Sequence, residues 1–567
     1  MEKQINKKQT FMAGVLTIVV AQIVIKLLGL VYRLVITNIP YFGDEGNGLY
    51  GAGFQIYMLI LAIATTGVPG AIAKLVSEKQ ALGKPREAHQ IFRVAFILFA
   101  IIGLVGTSIL FFGARYIATV LIGNPDVEGV LVALAPSIFF VAISAVIRGY
   151  FNGMYNMKAS SNSQMIEQFF KSLLTILIVT GLYFMIPQIG KLANIFNVTE
   201  ENVTAVMAAG ANLASTIAAA IGFVYLYFFY ARRKKEIWRN IKEQNEEYRK
   251  QSKRKLIKTI LLLSIPMSLA SIVSALNRNV DTFTVIRGLK VALEGSMLPE
   301  LVAAEATRLY GILSGKVDML IGLPLSLNIA FATALVPAVS EALALGDKKR
   351  ATRRISFSLR TSVLIALPCA VGLCVLAEPI LNLLFPGAYA PEAVLLLQIS
   401  AFTIIFSVLN QTINGALQGL GKVLVPATTL AIGAIIKLTL NLTLIPIPEI
   451  GVNGAAIGSV CCHLVASILG FLILRKNIKL DLNKYNFVIK PIIATLLMAA
   501  SAIGGQILLT NLIGSSKIVT MFSIIIAIVA YILALIFLKI FNEEDYHMLP
   551  YGDKIYNFFK KIKIVKA

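Results

Sequence analysis

Two cations, Lys26 and Arg33, interrupt the otherwise apolar run FMAGVLTIVVAQIVIKLLGLVYRLVI from Phe11 to Ile36. In an α-helix seven residues make almost two full turns, so the two side chains leave nearly the same face roughly 10 Å apart. Each costs about 2.5–3.5 kcal/mol at the centre of a membrane-spanning helix. No acid lies within four residues of either, so neither is neutralised on its own helix. An ammonium and a guanidinium held in an apolar setting attract phosphate or carboxylate. The pair therefore predicts a water-filled path for something anionic.

Other ionisable residues fall inside apolar runs and are candidates for the same path: Glu167 and Lys171, Arg278 and Asp281, Lys316 and Asp318, and Lys437. Glu167 precedes Lys171 by four, the favourable order for an ion pair along one helix, and Arg278 with Asp281 allows the same explanation. Lys316 and Asp318, two apart, leave roughly opposed faces and cannot neutralise each other, so at least one should face an interior. Lys74 and Arg148 stand near span ends, where a long stem can lie in lipid while its charge reaches the interface.

The elements that must hold these residues are long apolar helices. The chain has 567 residues, 57% hydrophobic and 14% charged, with a mean hydropathy of +0.79. Soluble chains carry about a quarter charged residues. This one is an all-α polytopic membrane protein of about fourteen spans, near 11–36, 50–73, 91–113, 129–150, 164–186, 204–230, 256–285, 309–340, 356–376, 393–416, 424–445, 452–474, 488–510 and 518–541. With the N-terminus cytoplasmic, the great majority of the 52 Lys and Arg fall in cytoplasmic tails and loops, which puts both termini on that side. That placement accounts for the net charge of +23 without nucleic acid. The densest cluster, Arg232 to Lys258, reads as a basic cytoplasmic linker lying along anionic headgroups.

A long internal repeat divides the chain. Leu49-Tyr50-Gly51 and Val76-Ser77-Glu78 return as Leu309-Tyr310-Gly311 and Val339-Ser340-Glu341. At an offset of 266, Asn152-Gly153 falls on Gln418-Gly419 and Lys171 on Lys437. Six spans separate the copies. The halves therefore share one orientation about a pseudo-twofold axis along the membrane normal, with the last two spans an addition. The expected organisation is a six-helix bundle over 1–230, the linker 231–255, a second six-helix bundle over 256–475, and two further helices with a basic tail over 476–567. Gly67-Val68-Pro69-Gly70 and Leu323-Pro324 predict interruptions within the second and eighth spans.

No phosphate loop, nucleophile elbow or HExxH metal helix is found, so the chain reads as a non-enzyme. Cofactors are not expected, and transport would draw on an ion gradient, the membrane potential or the substrate's own gradient. Cys369, Cys374, Cys461 and Cys462 lack metal-ligand spacing and read as free thiols. His463 within its span reads as a packing residue.

The stretches IKLLGLVYR, LYGAGFQIYMLILAIATTGVPGAIAKLVSE, RGYFNGMYNMKASSNSQMIEQ and LPLSLNIAFATALVPAVSEA resemble the polysaccharide-flippase branch of the multidrug/oligosaccharidyl-lipid/polysaccharide exporter superfamily. Within that branch the chain is most similar to the Gram-positive lipid II flippases and the stage V sporulation protein B group. The resemblance implies a two-bundle transporter of the bacterial cytoplasmic membrane, taken as a monomer. Its cationic cavity would receive the pyrophosphate and sugar-peptide head of an undecaprenyl-linked precursor, and the added helices would form a groove for the tail. It also implies two cavity cations on the first helix. Lys26 stands where the first is expected, and Arg33 lies one residue beyond the second, at Tyr32; the second-helix arginine of Gram-negative relatives is replaced in the neighbourhood of Leu61 and Ala62.

Alternative readings are an exporter of another polysaccharide repeat unit and a cation-coupled multidrug exporter, whose cavity should be acidic or apolar. A membrane glycosyltransferase would need catalytic carboxylates among the outward acids Asp44, Glu45, Asp126, Glu128, Glu294, Glu300 and Glu305, which show no repeated spacing.

Overall fold

The computed structural model describes residues 24–154, 156–185, 202–244, 252–480, 482–514, 517–538 and 540, and all its regular structure is helical. The first part of the opening apolar run, 11–23, lies outside the described residues. Among the described residues seventeen α-helices follow one another: α1 (24–37), α2 (Gly43–Thr65), α3 (Val68–Ala81), α4 (Pro85–Tyr116), α5 (Glu128–Gly153), α6 (Lys158–Met185), α7 (Val203–Lys242), α8 (Lys253–Leu293), α9 (Pro299–Gly311), α10 (Asp318–Ala344), α11 (Lys348–Val375), α12 (Ala377–Leu384), α13 (Glu392–Gly419), α14 (Val425–Leu444), α15 (Asn453–Asn477), α16 (Lys490–Ile513) and α17 (Lys517–Phe537). Among the described residues twelve helical segments are long and apolar enough to cross a membrane, thirteen when α8, bent by 49° between Ile265 and Ser268, is taken as one. Pro266 at that bend has no N–H to give the preceding turn.

By internal contact the chain falls into two compact units. The first holds residues to Gly315 together with Asn441–Gly451, the second Lys316–Leu440 and Val452 onward.

In the first unit, α3, α4, α5, α7 and the start of α8 share a core around Phe92, Ile147, Tyr150 and Phe151. The ring centroids of Phe92 and Tyr150 lie 4.5 Å apart. Ile237 and Ile241, in the basic stretch after the sixth span, are buried in this core beside Leu256 and Ile260. The Arg86 Nε donates to the Ile241 carbonyl at 2.9 Å. The start of the linker is thus a helical continuation of α7 with a packed apolar edge four residues apart, while Arg232 to Glu236 stay exposed.

The break foreseen at Gly67-Val68-Pro69-Gly70 is present: α2 ends at Thr65 and α3 restarts at Val68. The Gly67 N–H, left without a helical acceptor, donates to the Ser268 Oγ at 2.9 Å. In the eighth span Pro324 is accommodated inside α10, and the irregular turn is instead a π-helical segment, Ile312–Val317, between α9 and α10.

In the second unit α10, α11, α13 and α15 pack around Leu335, Val339, Ile355, Leu417 and Leu474. Asn328 of α10 anchors a buried polar cluster: its Nδ2 donates to the Val408 carbonyl at 3.0 Å, and its Oδ1 accepts from the Ser362 Oγ at 2.9 Å. The final helices α16 and α17 meet α11 through Met498, Ala502 and Ala527.

Each unit contains the same local packing, which supports the internal repeat. A Cβ on Gly153 of α5 would stand 2.7 Å from the Val76 Cβ, and one on Gly419 of α13 would stand 2.8 Å from the Val339 Cβ. Val76 and Val339 are the residues the repeat sets in register. The helices carrying them end alike. Gly83 and Gly346 adopt φ of +70° and +73°, and the Leu82 and Leu345 N–H groups donate to the carbonyls of Glu78 and Glu341. The four cysteines are free thiols.

Candidate anion-binding site

Helix α2 presents Tyr50, Phe54 and Tyr57 at spacings of four and three, one face of a helix. Their rings form a ladder with centroids 5.8 Å and 5.6 Å apart. The Tyr32 hydroxyl of α1 meets the Tyr50 hydroxyl at 3.1 Å, which fixes α1 against α2. Two cations lie on these rings. The Arg33 Cζ stands 4.6 Å from the Tyr50 centroid, and the Lys171 Nζ of α6 stands 4.1 Å from that of Phe54 and 6.0 Å from that of Tyr32.

A ring face steadies a cation by about 0.5–2 kcal/mol without cancelling its charge. The Arg33 Nη2 also donates to the Ser314 carbonyl at 3.4 Å, again a neutral partner. Its Nε is buried and has no hydrogen-bond partner among the described residues. A guanidinium donor in that condition can accept an oxyanion at little further desolvation cost.

Lys171 borders a cavity of about 340 Å³ lined also by Phe54, Tyr57, Arg148, Glu167 and Gln168. The pairing that spacing allows between Glu167 and Lys171 is not the one formed. The Glu167 Oε2 instead accepts from the Arg148 Nη2 at 2.8 Å, while the Arg148 Nε donates to the Ser163 Oγ at 2.9 Å. Arg148 is buried in α5 and reaches across to α6, where Glu167 packs against Gly222 of α7. The acid is therefore spent on a cation of another helix, and among the described residues Lys171 has no carboxylate partner. The group formed by Arg33, Lys171, Arg148 and Glu167 carries two net positive charges on an aromatic floor. It can bind a phosphate or carboxylate and has no general base beside a nucleophile.

The remaining candidates are distributed elsewhere. Lys26 is exposed, one residue beyond Ile25, which lines the cavity. Arg278 is exposed on α8, and Asp281 one turn on accepts from the Asn441 Nδ2 at 2.9 Å. In the second unit Lys316 is 1% exposed, donates to the Ala388 carbonyl and sits 5.4 Å from the Phe385 centroid, while Asp318 is exposed. One of that pair is thus interior, as their spacing required. Lys437 is buried on α14. The aromatic ladder is the part of the site that charge patterning overlooks; its signal in the sequence is the spacing of Tyr50, Phe54 and Tyr57 within a span.

Comparison with known proteins agrees with this architecture. The profile of the family described as polysaccharide biosynthesis protein matches residues 11–343, and that of the MatE family matches 313–443. Stage V sporulation protein B of Bacillus subtilis (strain 168) is 25% identical over 550 residues, covering 96% of this chain and 98% of that protein. Lipid II flippase MurJ of the same organism is 24% identical over 500 residues, covering 86% of each. Among solved structures, lipid II flippase MurJ in an inward closed conformation superposes with a TM-score of 0.61 at 16% identity, covering 91% of this chain and 97% of that one. With the first of these profiles spanning more than half its length, the chain belongs to the polysaccharide biosynthesis protein family.

Proposed function

We propose that this chain is a flippase carrying an undecaprenyl-pyrophosphate-linked cell-wall precursor, lipid II or a related lipid-linked oligosaccharide, across the bacterial cytoplasmic membrane by alternating access. The observation that carries the reading is the pair Arg33 and Lys171, held on aromatic faces and a carbonyl with no carboxylate partner among the described residues, so that their charge remains available to a pyrophosphate. The relatives named lipid II flippase favour that cargo. The distribution of Lys and Arg favours cytoplasmic termini. The chain acts as a monomer, needs no cofactor, and takes its driving force from an ion gradient or the membrane potential. A cation-coupled drug exporter would require the opposite sign of charge on these rings.

The test is headgroup-specific flipping in proteoliposomes, with lipid II set against teichoic and capsular precursors. Arg33→Ala, Lys171→Ala and Lys26→Ala should each reduce flipping at least tenfold while leaving membrane insertion intact. Full flipping in the Arg33 and Lys171 variants, or transport of a cationic drug in place of any lipid, would overturn the reading.

A further inference from the structure

A cavity of about 920 Å³ in the second unit is lined by Lys348, Lys349, Arg353, Arg360 and Lys479, with no acid among its described lining residues. It lies where α11 begins, α15 ends and the π-helical segment Tyr485–Ile489 leads into α16. The cations of α11 are sorted between two sides. Arg354 turns away to the Glu341 carboxylate at 3.3 Å and the Ala338 carbonyl. Lys349, Arg353, Ser356 and Arg360 recur at steps of three and four and form one stripe facing the cavity. The facing wall is pinned by the Thr352 Oγ1, which donates to the Lys479 carbonyl at 3.1 Å. Lys479 is thereby set opposite the α11 stripe.

The chemistry of this cavity has two parts. Its cationic rim sits at a boundary: α11 has no charged residue from Thr361 to Val375, and α16 has none from Pro491 to Ile513. Such a boundary on adjacent helices marks the level at which headgroups meet hydrocarbon. Apolar surface starts immediately beside it. Phe357 and Phe487 line the cavity, and the Arg360 guanidinium lies 5.9 Å from the Phe357 centroid. Immediately after Phe487, Val488 and Ile489 stand exposed, and Ile492, Ile493, Leu496 and Leu497 continue the exposed strip up α16. A free phosphate would use the rim alone. An amphiphile with a phosphate head and acyl or prenyl chains uses both.

We propose that this cavity is a binding site for the phosphate headgroup of an anionic membrane lipid, whose chains run along the exposed face of α16. It is separate from the aromatic site in the first unit and does not depend on what that site carries.

Native mass spectrometry of the full chain, released from nanodiscs of mixed phosphatidylglycerol and phosphatidylcholine, tests this directly. Phosphatidylglycerol should be retained at least tenfold over phosphatidylcholine. The triple variant Lys349→Gln, Arg353→Gln, Lys479→Gln should lose that preference, whereas Arg33→Gln should keep it. The melting temperature of the triple variant is measured alongside, and if it falls below the wild-type value the variant is replaced by Ser356→Trp, which fills the cavity and should abolish retention alike. Equal retention of the two lipids, an unchanged preference in the variants, or displacement of the lipid by 10 mM inorganic phosphate would each overturn the proposal.

Discussion

Glu167 takes its ion pair from Arg148, 2.8 Å away on another helix, and leaves Lys171, one turn along its own helix, to the face of Phe54. The two cations are thereby given different work. Arg148 is structural and closes α5 against α6. Removing it leaves Glu167 partly buried without its counter-charge, and breaking a fully buried pair costs about 3–5 kcal/mol. The Glu167 side chain is 28% exposed, so the cost falls to about 2 kcal/mol after solvent screening. Thermal unfolding in detergent should therefore show a clear loss for Arg148→Ala and little change for Lys171→Met, while flipping falls in both. If Lys171→Met unfolds as readily as Arg148→Ala, the division of roles is wrong.

The pairing also shows which parts of the site can be read from a sequence. Local spacing places Glu167 and Lys171 one turn apart, and nothing within that helix reveals Arg148 as the stronger partner, because its reach across to α6 is decided by tertiary packing. The same limit applies to Lys26 and Arg33: helical geometry puts them on one face, and only the packing of α1 on α2 separates an exposed ammonium from a guanidinium laid on Tyr50. The interruption at Gly67 was legible because glycine and proline act through the backbone itself. The repeat sets Val76 and Val339 in register, and each packs against a glycine, Gly153 and Gly419. The packed edge at Ile237 and Ile241 hid within a charge run, since two apolar residues among cations look like a solvated helix until a neighbour covers them.

Gly153 and Gly419 should respond alike to enlargement, because each admits Val76 or Val339 at a distance no side chain tolerates. Carbonyls close both contacts as well: a Cβ would lie 2.8 Å from the Ala73 oxygen in one and 3.1 Å from the Val336 oxygen in the other. Backbone cannot swing aside as a flexible side chain can, so overpacking of this kind costs about 1–3 kcal/mol. Gly153→Ala and Gly419→Ala should lower the melting temperature by similar amounts, with the former slightly worse. A neutral result at either position would remove the structural support for equivalence between the repeats.

At the break between α2 and α3, Gly67 is fitted to α8. A Cβ there would meet the Ser264 carbonyl and come within 2.6 Å of the Ser268 Oγ that accepts its N–H. Ser268→Ala removes that acceptor and leaves a buried donor unsatisfied, at about 1–3 kcal/mol. Gly67→Ala should be worse, since it forces the helices apart and takes the hydrogen bond with them. Amide hydrogen exchange over residues 66–70 reads this out: protection should fall in Ser268→Ala and fall further in Gly67→Ala, and unchanged protection in both would mean the hydroxyl does not hold the break.

Gly83 and Gly346 provide the converse case, in which space plays no part. A Cβ at either position meets nothing within 4 Å, yet both residues hold a left-handed backbone at the end of a helix. That conformation costs a residue with a side chain about 1–2 kcal/mol, and the two ends share the same hydrogen bonds. Gly83→Ala and Gly346→Ala should therefore each destabilise by about 1 kcal/mol. Asparagine, which tolerates left-handed backbone better, should recover part of the loss at both sites. Neither change reaches Arg33 or Lys171, so flipping per folded molecule should stay at the wild-type rate. Paired unfolding and transport measurements separate the two effects, and a transport defect without a stability defect would show that these turns do more than end their helices.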